Sequence, residues 1–152
     1  MGRALLLGEH LGPILYQLPP RFPCHLELLK RFLATLPADL AHVIEFRDER
    51  WLNDDVFALL EQYGVGLCVA DMPGLDYPLR ATSQTVYVRF HGSQVLYGDC
   101  YGREDLVLWA ARLTHLVGEG RHVYAYFNND AEAYAVQNAR ELARQMAGVS
   151  SQ

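Results

Sequence analysis

Apolar residues along the chain fall into two alternating patterns. Short runs apolar on both faces recur at Gly12–Leu18, His42–Arg47, Val65–Ala70, Thr85–Phe90 and His122–Phe127. Between them lie stretches with apolar positions at helical spacing: Leu26, Leu29, Phe32, Leu33 and Leu36, then Leu106, Trp109, Ala110, Leu113 and Leu116, then Ala135, Ala139, Leu142 and Met146. A fourth helix is predicted from Asn53 to Tyr63, with Asn53 as N-cap, Asp54 and Asp55 in the first turn, and Leu52 and Phe57 placed for a hydrophobic staple. Gly64 is its expected left-handed terminator. Residues 1–10 read as the end of a helix without a start signal, and Pro73-Gly74 marks a turn. Strands apolar on both faces that alternate with helices imply a parallel sheet covered by helices.

Five such strands suit either an open doubly wound sheet or part of a barrel. No glycine-rich phosphate loop follows any strand, which argues against a dinucleotide fold and for the barrel. With 152 residues the chain is one domain's worth, predicted over 1–148 with a frayed, disordered tail at 149–152.

Composition is that of a globular protein, 51% hydrophobic and 20% charged. A net charge of -5 without a basic cluster argues against nucleic-acid partners. The apolar Ala4–Leu7 run is too short to span a bilayer. Cys24, Cys68 and Cys100 form no CxxC pair, which sets aside zinc-ribbon and thioredoxin readings. Free thiols and no signal peptide suit a reducing cytoplasm.

Polar residues that close apolar strands are the candidate site, because ligands of parallel α/β folds sit at strand carboxyl ends. They are Gln17, Glu45, Arg47, Asp71, Arg89, His91, Asn128, Asn129 and Asp130. Glu45, Asp71, His91 and Asp130 make an oxygen-rich set with one nitrogen, suited to acid/base work or to a divalent metal such as Mg²⁺ or Mn²⁺. Arg47 and Arg89 carry planar forks for a carboxylate or phosphate. Asn128 and Asn129 offer paired donors and acceptors for hydroxyls, and Tyr97 and Tyr101 an aromatic lid. Structural roles compete with each of these. Glu45 and Arg47 share a strand face and suit an ion-pair network with Arg89 or Asp71. Asp130, Asn128 and Asn129 suit helix caps, Asp71 suits a turn, and Trp51 suits packing beneath Arg47. His10, His25, His42, His115 and His122 are ungrouped.

Read together and in order, Gln17-Leu18-Pro19-Pro20, Glu45-Phe46-Arg47 with Trp51, Asp71, Tyr87-Val88-Arg89-Phe90-His91-Gly92 and Tyr126-Phe127-Asn128-Asn129-Asp130 resemble the DUF72 (YecE-like) family across nearly the whole chain. The resemblance implies a TIM-type β/α barrel in partial form, with these strands the fourth to eighth of eight. Members of that family begin with roughly three further β/α units bearing a Trp- and Tyr-rich segment. Raw sheet edges then suit self-association with a partner half, or the chain is a truncated remnant or a mis-started reading frame. The functional expectation is an enzyme, possible hydrolase in class, for a small anionic or polyhydroxylated substrate; the alternative is a non-catalytic module binding an anionic small molecule.

Overall fold

The computed structural model describes residues 4–149. After a short kinked 3₁₀ turn at Ala4–His10, the chain forms β1 (Ile14–Gln17), α1 (Leu26–Leu33), β2 (His42–Glu45), α2 (Asp54–Tyr63), β3 (Gly66–Asp71), β4 (Thr85–Phe90), α3 (Arg103–Gly118), β5 (His122–Phe127) and α4 (Tyr134–Val149). α4 runs through Val149, so the expected tail has no room before 150, and residues 150–152 lie outside the described residues.

All five strands are parallel and lie in sequence order, β1 to β5. A doubly wound sheet reverses its order at a switch point. This one never does, so it is an arc of a barrel wall. The helix signals held locally. Asn53 Oδ1 accepts from Val56 N at 3.1 Å, and Gly64 closes α2 at φ 64°. The expected β/α alternation fails once, between β3 and β4. There Pro73, Gly74 and Pro78 prevent a helix, and the connection is tied down by side chains instead. Thr82 Oγ1 accepts from Leu67 N at 2.7 Å and donates to Val65 O at 2.8 Å, while the Tyr77 hydroxyl donates to Phe46 O.

Outside the arc two apolar layers hold the helices. Ile44, Phe46 and Leu67 pack with α1 and α2, and Val69, Val88 and Phe90 pack with α3. Trp51 belongs to this outer layer: it stacks on Phe46 at 4.8 Å and donates Nε1 to Phe22 O. α1 is less buried than its stripe implied, with Leu26 and Phe32 more than a third exposed.

Inside the arc the side chains form rows across the sheet. Leu15, Val43, Cys68, Tyr87 and Tyr124 make a small apolar cluster. Gly66 completes its floor, since a Cβ there would sit 2.8 Å from Thr85 O. Gln17 pairs in register with Glu45, and Ala70, Arg89 and Tyr126 form the next row toward the carboxyl end. Strand alternation therefore aims Glu45, Arg89 and Tyr126 into the concave side.

Candidate functional site

Glu45 is the hub of this inner mouth, with a side chain 0% exposed. Arg89 donates Nη1 to its Oε2 at 2.6 Å, and Arg47 Nε lies 2.5 Å from its Oε1. His91, equally buried, places Nε2 3.5 Å from that same Oε1 and 3.1 Å from Arg47 Nη2. Burial alone would raise the Glu45 pKa. Hydrogen bonds from His91 and Arg89 and the charges of Arg47 and Arg89 outweigh it and hold the carboxyl below its usual range. The expected ion-pair network exists, with Arg89 as partner and Asp71 outside it.

The rest of the mouth is arranged around Arg89. Its Nε donates to Asn128 Oδ1 and its Nη1 to Gln17 Oε1, each at 3.0 Å. Both amides spend their oxygen on the guanidinium, which leaves their NH₂ groups as donors without a partner among the described residues. Tyr97 covers the opposite side: its ring stands edge-on to His91 at 5.2 Å and its hydroxyl lies 3.5 Å from Arg47 Nη1. A loop wound on the Asp99 carboxylate, which accepts from the backbone N–H of Ser93, Gln94 and Val95, holds it there. Gly92 starts that loop at φ 110°, where a Cβ would run into Val95 O and Asp99.

The expected quartet of Glu45, Asp71, His91 and Asp130 does not assemble. Asp71 has the parity of Val69, which faces the helices, so its carboxylate leaves the mouth and accepts from Trp109 Nε1 at 2.7 Å. Burial raises its pKa, against the Trp109 bond. It lines a separate cleft of about 810 Å³ with Trp109 and Arg112 on the helix side. Asp130 is exposed, and its side chain caps nothing. Among the described residues no group of three or more His, Cys, Asp or Glu is placed to hold a metal ion. Asn129 is 0% exposed and ties Asp99 O to Asn138 Oδ1, both at 2.8 Å, instead of facing a ligand. Tyr101 is no lid either. It is 3% exposed, donates its hydroxyl to Asp71 O at 3.2 Å and accepts from Gly92 N at 3.1 Å.

Asn138 and Tyr77, like Asp99, are residues that sequence reasoning passed over. Asn138, 3% exposed, accepts from Tyr101 N at 3.1 Å and donates to Tyr101 O at 3.2 Å, so it fixes the wall beneath the loop. Its one visible signal was an amide within the apolar stripe of α4. Tyr77, through Phe46 O, pins the backbone between Glu45 and Arg47.

A sequence-ordered parallel arc with a guanidinium-lined mouth at the strand carboxyl ends defines a β/α-barrel protein. The chain belongs to the DUF72 family: the model described as "Protein of unknown function DUF72" matches residues 1–152. Solved DUF72 proteins share the fold. A structure from Enterococcus faecalis superposes with TM-score 0.83 at 18% identity over 94% of this chain, and one from Thermotoga maritima with 0.70 at 23% over 99%. A second Enterococcus faecalis structure gives 0.74 at 20% over 97%. The chain spans 61%, 62% and 64% of those three proteins, in the same order. No curated protein matches it.

Proposed function

We propose that this mouth recognises a small anionic molecule. One observation carries the reading: the exposed polar groups are almost all donors. Among the described residues, Arg89 Nη2 and the amide nitrogens of Gln17 and Asn128 have no hydrogen-bond partner, and Tyr97 brings a hydroxyl. The one carboxylate present, Glu45, is consumed by the arginines. The fixed charges of Arg47, Arg89 and Glu45 leave one net positive charge. Such a site complements an acceptor-rich ligand and discriminates against a plain polyol, which needs acceptors too.

A second reading makes the protein an enzyme of the hydrolase class, in which His91 is the acid/base group for the bound anion. It is favoured by the His91 Nδ1 atom, which is buried and has no hydrogen-bond partner among the described residues. With Asp71 and Asp130 directed elsewhere, a Mg²⁺- or Mn²⁺-assisted route has less support from the geometry than a metal-free one. Three free cysteines support a cytoplasmic, reducing location, and no described helix is long and apolar enough to cross a membrane. The unpaired sides of β1 and β5 are where a second copy or further β/α units would add.

Thermal unfolding with acetate, oxalate, sulfate and phosphate tests the binding reading, since a ligand of the native state raises the transition by mass action. At least one anion raises it in the native sequence and loses that effect in Arg89→Gln. A transition unmoved by all four would overturn the reading. Turnover of model phosphoesters or glycosides, abolished by His91→Ala, would establish the second one.

A further inference from the structure

The inner face beside Arg89 carries information about the rest of the ligand. Arg89 and Tyr126 are register partners on adjacent strands. Tyr126 is 46% exposed, whereas Tyr87, against which it lies, is 8% exposed. Their rings are 4.9 Å apart and 19° from parallel, and Tyr87 stacks in turn on Tyr124 at 6.3 Å and 19°. The plane of Tyr126 is thus set by two rings behind it, which makes its open face a rigid, flat surface that loses little conformational freedom when covered. Burial pushes the Tyr87 hydroxyl up to about 12, so Tyr87 brings no negative charge against an incoming anion.

A flat aromatic face one strand away from a guanidinium whose Nη2 edge has no partner among the described residues is complementary to a molecule that joins a flat ring to an anionic group. We infer that the ligand is an aromatic carboxylate, its carboxylate on Arg89 Nη2 and its ring on the open face of Tyr126. The single net positive charge of the arginine–glutamate cluster matches a carboxylate monoanion better than a phosphate dianion. This inference rests on the anion-site reading above and adds the class of ligand to it.

Calorimetric titration of the full chain with acetate, benzoate and cyclohexanecarboxylate tests it. Benzoate and cyclohexanecarboxylate match in charge and nearly in size, but only benzoate has a π-face. Benzoate is expected to bind about three- to ten-fold tighter than cyclohexanecarboxylate, the range of an aromatic pair beyond its buried area. In Tyr126→Leu, which keeps apolar bulk on the strand, that ratio falls to about one. Cyclohexanecarboxylate binding as tightly as benzoate, or a ratio unchanged in Tyr126→Leu, would overturn the aromatic inference and leave the anion site standing. No heat with any of the three would overturn the inference; if oxalate, sulfate and phosphate are also silent, the anion-site reading falls with it.

Discussion

Glu45 and Asp71 end neighbouring strands of one sheet, and the structure treats them in opposite ways. Glu45 points to the concave side, meets two guanidiniums and an imidazole, and is held ionised despite complete burial. Asp71 points to the helix side and meets an indole N–H; burial, the larger influence there, raises its pKa. The contrast teaches that a strand-end carboxylate has no fixed chemistry. Its parity on the strand decides whether it becomes the counter-charge of a binding site or a hydrogen-bond acceptor in a wall.

Glu45→Gln should break the comparison most strongly. It leaves two largely buried guanidiniums without their shared counter-charge, at a cost of about 3–5 kcal/mol at pH 7. Urea denaturation measures this, and a loss below about 1 kcal/mol would place Glu45 with Asp71 after all. The two carboxylates also respond to acid with opposite sign. A lowered folded pKa means that Glu45 contributes stability above its unfolded value of about 4.3, lost as pH falls through the folded value. The gap between the native protein and Glu45→Gln should therefore narrow below about pH 4, and a gap that stays constant would exclude this linkage. For Asp71 the raised folded pKa means a contribution present below about 3.9 and lost as pH rises through the folded value.

Trp109→Phe comes next in size. It removes the donor to the half-buried Asp71 carboxylate, at a cost of about 1–3 kcal/mol. Asp71→Asn should change stability least. Its amide oxygen still accepts from Trp109 while no charge is buried, so at pH 7 we expect a shift within about 0.5 kcal/mol, toward greater stability. A loss above about 2 kcal/mol in Asp71→Asn would show that the ionised form is needed there.

The difference between these two residues is also where sequence reading stopped. The sheet, its helices, the Asn53 cap and the Gly64 stop were legible because each rests on a local pattern or a backbone preference. The convergence of Glu45, Arg47, Arg89 and His91 was legible from strand ends alone. Facing was not. Cys68, Val69 and Ala70 are all apolar and all buried, because a parallel strand is covered on both sides, so no polar–apolar alternation shows which way Asp71 turns. Tyr101 read as a loop tyrosine because the atoms that bury it belong to Asp71, Gly92 and Asn138, and Asn138 lies 37 residues away. Tyr97, in the same loop, kept the exposed place expected of it.

The loop wound on Asp99 has a consequence for how variable this mouth can be. Its shape is set by main-chain N–H groups gathered on one carboxylate, with Gly92 at the entry, and the exposed side chains of Gln94 and Leu96 take no part. Tyr97 is likewise placed by its own backbone, which donates to His91 O at 2.5 Å. Positions 94 and 96 therefore form a rim that can be rewritten, by drift or by a designer attaching a reporter group, while the tyrosine over the arginines stays where it is.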